Sequence, residues 1–201
     1  MSDLSSQVRT VCVYCGSSAV ADAGFVEAAA VLGRDLAEAK IRLVYGGGGT
    51  GLMGAVARAA HEAGGKVLGI MPEFLRQPEG LYEAVETVVV GSMHTRKLMM
   101  FEESDAFVVL PGGVGTLEEI VELLSWRRLE LHRKPIVFYN PGGFWKPLFD
   151  LLQHTVDLGL TPPAVMDTWQ ALEAIGDVLP AVLAMAAQEG PHIDLRIHAR
   201  V

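Results

Sequence analysis

Basic residues are scarce in this sequence: sixteen Lys and Arg stand against twenty-four Asp and Glu, for a formal net charge of -8 at pH 7. Nucleic acid and anionic membrane surfaces are both drawn to a positive field, so neither is expected as a partner, although a small anion in a locally positive pocket is compatible with this charge. Long apolar runs are missing as well. No stretch reaches the ~18 residues needed to cross a bilayer. Met1 to Thr10 has no basic segment leading into an apolar one, so no signal peptide is expected and the cytoplasm is the expected location. Cysteine is limited to Cys12 and Cys15. Their C-x-x-C spacing invites a redox pair or half a zinc site, but VCVYC has the composition of a strand, and residues three apart on a strand point to opposite faces. Two buried thiols in a first strand are expected instead.

Half of the 201 residues are apolar, which suits one domain, residues 1–201, with a sizeable core. Val8 to Tyr14 alternates β-branched and aromatic residues, turns at Gly16-Ser17-Ser18 and runs into an alanine-rich helical stretch from Phe25 to Ala39. The unit then repeats. Arg42 to Tyr45 reads as a strand, Gly46 to Gly49 as a turn and Thr50 to Ala63 as a helix closed by Gly64-Gly65. Lys66 to Met71 is a third strand ended by Pro72, Phe74 to Tyr82 a polar loop and Glu86 to Val90 a fourth strand. Met93 to Ser104 is helical in pattern and Ala106 to Leu110 a continuous apolar strand, followed by a glycine turn and a helix from Thr116 to Arg128. Ile136 to Tyr139 forms a further strand, Phe144 to Leu158 and Trp169 to Ala187 read as helices, and the tail from Pro191 to Val201 is expected to be mobile. Short apolar strands alternating with helices predict an α/β fold, a doubly wound, Rossmann-like parallel sheet with helices on both faces. The loops after Tyr14, Tyr45, Met71 and Leu110 should then share one rim, where such folds bind ligands.

Two of those loops are glycine-rich turns between a strand and a helix, a setting that can present free backbone N–H groups and the positive end of a helix to phosphate. GGGGTGLMG contains G-x-G-x-x-G at Gly46, Gly48 and Gly51. The dinucleotide fingerprint also needs an acidic residue closing the next strand, where this chain has Gly69-Ile70-Met71-Pro72 and only then Glu73, so NAD and FAD are disfavoured. Neither turn ends in G-K-[ST], which removes support for a P-loop. The second turn, PGGVGTLEE, joins Gly112, Gly113 and Gly115 to Thr116 and to Glu118 and Glu119. Thr116 and Glu119 also fit a capping box, in which they would only satisfy orphan backbone donors. Upstream, Arg96 and Lys97 stand at the start of a helix, where cations gain nothing from the dipole, so an anion is expected to hold them. His94 has no second histidine at ligand spacing and no H-E-x-x-H is present, so no metal site is read.

Taken together and in this order, CVYCGSS, YGGGGTGLMG, MHTRK and PGGVGTLEE resemble the Lonely Guy (LOG) family of cytokinin-activating phosphoribohydrolases, over roughly Val11 to Pro135. Members have often been labelled lysine decarboxylases, but no Schiff-base lysine with a pyridinium partner can be picked out here. The resemblance implies hydrolysis of adenosine 5'-monophosphate, or its N6-prenylated cytokinin form, to free base and ribose 5-phosphate. It also implies a homodimer, to which the apolar stretch from Leu123 to Leu131 would contribute. By motif, Arg96 and Glu119 correspond to the family's catalytic pair, and Lys97, Gly113, Val114, Gly115, Thr116, Leu117 and Glu118 to its nucleotide contacts. Ser125 falls on a hydroxyl position often held by Thr, and Glu79 matches a substrate contact after a one-residue shift. Gly112 in the second turn and Gly47 and Gly48 in the first complete the expected substrate-binding set. Val114 stands where plant members commonly have Tyr.

In this scheme Glu119 stabilises a ribosyl cation or activates water, and the phosphate sits at the amino end of the helix near Thr116. Arg96 keeps its proton, so its expected work is to hold the phosphate or a carboxylate, or to offset charge on the leaving base. No metal or organic cofactor is required. The competing reading is a non-catalytic nucleotide or cofactor carrier using the same phosphate cradle.

Overall fold

Strand β1 (Thr10–Tyr14) is buried at every position, as a central strand covered on both faces must be. In the computed structural model, which describes residues 8–189, it is followed by α1 (Ala23–Glu38), β2 (Arg42–Tyr45), α2 (Gly51–Glu62), β3 (Val67–Pro72), a short α3 (Arg76–Glu79) and β4 (Glu86–Val90). The second half continues with α4 (Met93–Glu102), β5 (Ala106–Val109), α5 (Val114–Arg128), β6 (Ile136–Tyr139), α6 (Lys146–Asp157), β7 (Gln170–Leu172) and α7 (Val178–Glu189). All seven strands are parallel, in the order β4-β3-β2-β1-β5-β6-β7. The winding reverses between β1 and β5, where Val11 pairs with Leu43 on one side and Ala106 on the other. This is the doubly wound, Rossmann-like α/β fold that the strand and helix pattern predicts.

Strand periodicity sorts the core into two layers. Val11, Val13, Leu43, Tyr45 and Val108 point to the face covered by α1, α2 and α7. On the opposite face Tyr14, Val44, Ile70, Phe107 and Phe138 meet Met100 and Phe101 of α4 and Ile120, Leu123 and Leu124 of α5. The two cysteines divide in the same way, Cys15 into the first layer and Cys12 into the second, both buried and free. Burial pushes both thiol pKa values up, with Glu119 adding to the effect, which makes these groups inert. No helix among the described residues is long and apolar enough to cross a membrane.

Three expectations need correction. Trp169 to Ala187 is not one helix, because Gln170–Leu172 adds a seventh strand beside β6 and a turn at Ile175–Asp177 precedes α7. The loop from Phe74 to Tyr82 contains helical turns, Glu73–Leu75 and α3. Finally, α5 begins at Val114 with Gly113 as N-cap, so Thr116 is its third residue and Thr116-x-x-Glu119 is no capping box. The tail from Pro191 to Val201 lies outside the described residues.

Candidate active site

Because the sheet is wholly parallel, every strand delivers its following loop to the same rim, and backbone hydrogen bonds stitch these loops together. Gly16 N–H donates to the Pro111 carbonyl (3.1 Å), joining the loops after β1 and β5. The Gly16 carbonyl accepts from Leu52 N–H (3.0 Å) and Met53 N–H (3.2 Å), two first-turn donors of α2. The glycine run Gly46 to Gly49 therefore does not present an open helix end. Its amino terminus is closed by protein.

The second glycine turn is different. At α5 the first donor inside the helix is Leu117 N–H, bonded to the Gly113 carbonyl (3.0 Å), which leaves the amides of Val114, Gly115 and Thr116 as first-turn donors with no helical acceptor. Gly113, Val114 and Gly115 are exposed, and nothing lies within 4 Å of where a Cβ on Gly113 or Gly115 would stand. Gly112 is a packing requirement: a Cβ there would come within 2.2 Å of Thr116 Oγ1, and Thr116 is buried beneath the turn. An open row of N–H groups at the positive end of a fifteen-residue helix is suited to a phosphate.

Directly below this cradle lie Arg96 and Glu119, only 3% and 4% exposed. Arg96 Nε donates to the Ile70 carbonyl (3.2 Å) and Nη2 to the Gly46 carbonyl (3.2 Å), while Nη1 stands 3.6 Å from Glu119 Oε1. Gly46 must lack a side chain, because its Cβ would stand 2.0 Å from Arg96 Nη2. With Nε and Nη2 on carbonyls and Nη1 facing a carboxylate, the guanidinium holds a carboxylate rather than a phosphate. Desolvation raises the Glu119 pKa to about 7; Arg96 pulls it down, while Glu118 and Glu79 push it up. Burial wins over the ion pair here, since the 3.6 Å separation is too long for a good hydrogen bond.

Lys97 projects from the next position on α4 and pairs with Glu118 and, at 3.1 Å, with Glu122. Burial opposes its charge, but the hydrogen bonds it donates to the two carboxylates, with their negative charges, outweigh that and raise its pKa. The anions expected around Arg96 and Lys97 are thus three glutamates of α5. Such an ammonium is the opposite of the desolvated neutral amine that Schiff-base chemistry needs. Among the described residues, no three His, Cys, Asp or Glu side chains gather to hold a metal ion.

Glu79 arrives from the strap after β3. Gly49 N–H donates to the Gly80 carbonyl (2.9 Å) and Leu81 bridges to Gly48, so the strap lies over the first glycine turn. Gly47 sits at φ +82°, a conformation that favours glycine, with its Cβ site 3.0 Å from Met71 Cβ, and the Cβ site of Gly48 is 3.4 Å from Glu79 Oε2. Leu117 is half-buried against the core layer of α5. Ser125 does not join this constellation: it is exposed eleven residues beyond Val114, about 16 Å along α5. One contributor escaped notice in the sequence, Ser17, whose Oγ donates to Glu79 Oε1 (3.3 Å). Its only signal was its position in the turn after β1.

Residues 53–182 match the family model described as "Possible lysine decarboxylase". Over 164 residues the chain is 43% identical to the cytokinin riboside 5'-monophosphate phosphoribohydrolase LOG7 of Arabidopsis thaliana, covering 81% of this chain and 76% of that protein. It is also 39% identical over 200 residues to LOG5 of the same plant, a cytokinin riboside 5'-monophosphate phosphoribohydrolase, covering 94% and 88% of the two chains. The chain belongs to the LOG family. Among solved structures, the molybdenum cofactor carrier protein of Chlamydomonas reinhardtii matches at a TM-score of 0.66 and 22% identity, over 89% of this LOG chain and 98% of the carrier. At that identity the likeness is one of fold. In this LOG-family chain the fold carries a buried Arg96–Glu119 pair under an open amide cradle.

Proposed function

We propose that this protein hydrolyses the N-glycosidic bond of adenosine 5'-monophosphate, or of its N6-prenylated cytokinin form, giving free base and ribose 5-phosphate. The observation that carries this reading is a buried glutamate with a pKa near 7, set one helical turn below a row of unbonded amides. The relatives' names, cytokinin riboside 5'-monophosphate phosphoribohydrolases, support the same chemistry.

The 5'-phosphate binds the amides of Val114, Gly115 and Thr116, which anchors the remote end of the substrate and leaves C1' to be oriented over Glu119. As the C1'–N9 bond breaks, its electron pair leaves on the base and positive charge grows at C1'. The Glu119 carboxylate stabilises that charge and accepts a proton from the water whose oxygen bonds to C1', and a proton passes to the departing base, so that neutral base and ribose 5-phosphate leave and the carboxylate is restored. Arg96 keeps the carboxylate in place through its two carbonyl anchors and its charge. Lys97 holds Glu118 and Glu122 along the same helix, ordering the wall of the site.

The working form in this proposal is a cytoplasmic homodimer. Leu123, Leu124 and Trp126 are already buried within one subunit, so they supply no surface, but Val114, Val121 and Leu129 are exposed on the opposite side of α5. These three, with Ser125 among them, follow helical spacing along one face. A second copy seated there would cover the apolar residues and bring Ser125 toward a neighbouring site. Incubating the pure protein with AMP and with isopentenyladenosine monophosphate, followed by chromatography for free base, tests the reaction. Release of neither free base would refute it.

A further inference from the structure

Glu79 is fixed from two directions. Its backbone carbonyl and that of Gly80 both accept from Gly49 N–H, at 3.3 and 2.9 Å, which lays the strap over the first glycine turn. Its side chain is gripped separately, by the Ser17 hydroxyl on Oε1. Ser17 is itself held at its backbone, where its carbonyl accepts from Thr50 Oγ1 (2.7 Å) and Gly51 packs so closely that a Cβ there would lie within 2.6 Å of the Ser17 carbonyl carbon. The result is a carboxylate with one oxygen occupied and the other, Oε2, buried and without a hydrogen-bond partner. A buried acceptor in that condition is costly, so the arrangement calls for a donor from outside the protein.

The position of Glu79 decides which donor. The amide cradle follows β5, and Glu79 lies over Gly48, beyond β2, with β1 between the two strands. Glu119 is close enough to feel the charge of Glu79. With phosphate on the cradle and C1' at Glu119, the nearest donor of the substrate is the hydroxyl on the adjoining carbon. We propose that Ser17 is a positioning residue that aims Glu79 Oε2 at the ribose 2'-hydroxyl, so that the site selects ribonucleotides over 2'-deoxyribonucleotides. This inference rests on the phosphoribohydrolase reading above and names the sugar it accepts. In glycoside hydrolysis, hydrogen bonds to the 2-hydroxyl strengthen in the transition state, so the preference belongs in kcat as well as in KM.

The test compares kcat/KM for AMP and 2'-deoxy-AMP in wild type, Ser17→Ala, Ser17→Thr and Glu79→Gln. The intrinsic difference in reactivity between the two sugars cancels when the AMP:2'-deoxy-AMP ratio is compared across variants. A fold defect lowers both substrates together and leaves the ratio unchanged. The expected outcome is a ratio that falls roughly tenfold or more in Ser17→Ala and in Glu79→Gln, the range of one charge-assisted hydrogen bond. Ser17→Thr, which keeps the hydroxyl, should hold the wild-type ratio. A ratio unmoved by Ser17→Ala overturns the positioning role of Ser17, and a ratio unmoved by Glu79→Gln overturns the contact with the sugar. If wild type releases base from neither nucleotide nor from isopentenyladenosine monophosphate, the reaction assigned above fails, and calorimetric titration of AMP and 2'-deoxy-AMP decides the sugar contact separately. A preference for AMP that Ser17→Ala abolishes supports it; equal affinities in wild type overturn it.

Discussion

Replacing Glu119 by Gln should change how the stability of the protein depends on pH, and the sign of that change discriminates between two pictures of the buried pair. The Glu119 carboxyl ionises at about 7 in the folded protein, against an ordinary value of 4.5. Between those values the unfolded chain has released the proton while the folded chain retains it, so the unfolded state binds fewer protons and wild-type stability falls as pH rises. The full difference corresponds to about 3 kcal/mol, lost between roughly pH 4.5 and 7 and constant above. Glutamine has no proton to release, and every other titrating group is common to the two proteins. Urea unfolding of both at pH 4, 5.5, 7 and 8, at matched protein concentration, gives the difference directly. Wild type should lose about 3 kcal/mol relative to Glu119→Gln across that range. A relative gain with rising pH would mean that Arg96 dominates burial and holds the carboxylate ionised, and parallel curves would mean that Glu119 ionises at the same pH in the folded and unfolded states. Either result refutes the electrostatic argument.

Three further outcomes follow from the same geometry. Adenosine should be a poor substrate beside AMP, because losing two charge-assisted hydrogen bonds of ~1.5–3 kcal/mol each lowers kcat/KM by roughly a hundredfold or more; equal rates of adenine release would reduce the α5 turn to a packing device. Gly112→Ala drives a Cβ to 2.2 Å from Thr116 Oγ1 and should lower the melting temperature by several degrees, for an overpacking cost of ~1–3 kcal/mol, whereas Gly115→Ala meets nothing within 4 Å and should leave it nearly unchanged. Light scattering at micromolar concentration should report a dimer, and Val121→Glu, on the exposed face of α5, should shift it toward monomer; a wild-type monomer would remove the composite-site argument.

Most of the sheet was legible in the sequence because its strands are short, continuously apolar and punctuated by glycine and proline, and β1 to β6 stand at the expected stretches. The seventh strand was not. Gln170–Leu172 is three residues long and largely exposed, too short to carry a period of two, and it runs into a helical pattern a few residues later. The helical turns at Glu73–Leu75 and Arg76–Glu79 were hidden by Pro72 and Pro78, which read as loop. At the site, Thr116, Glu118 and Glu119 behind the second glycine turn marked it as the cradle in the sequence, but nothing local showed that the first turn is closed. That closure comes from Gly16, whose carbonyl closes α2 from 35 residues or more away in the chain. Arg96 and Glu119 likewise come from different helices, and their contact depends on tertiary packing that periodicity does not encode. Ser17 illustrates the limit best: a turn serine by local rules, it proves to grip a glutamate 62 residues downstream.

We assign to the buried Glu119 beneath the cradle the cleavage of the bond between base and ribose of a nucleoside 5'-monophosphate. Its most direct test is the rate of adenine and ribose 5-phosphate release from AMP by wild type and by folded Glu119→Gln, measured across pH 5 to 9. Wild type should give equimolar products, with kcat/KM rising through about pH 7 as Glu119 loses its proton, and the variant should fall at least ~10²-fold with nucleotide binding retained. Near-normal turnover by a folded Glu119→Gln protein would contradict it.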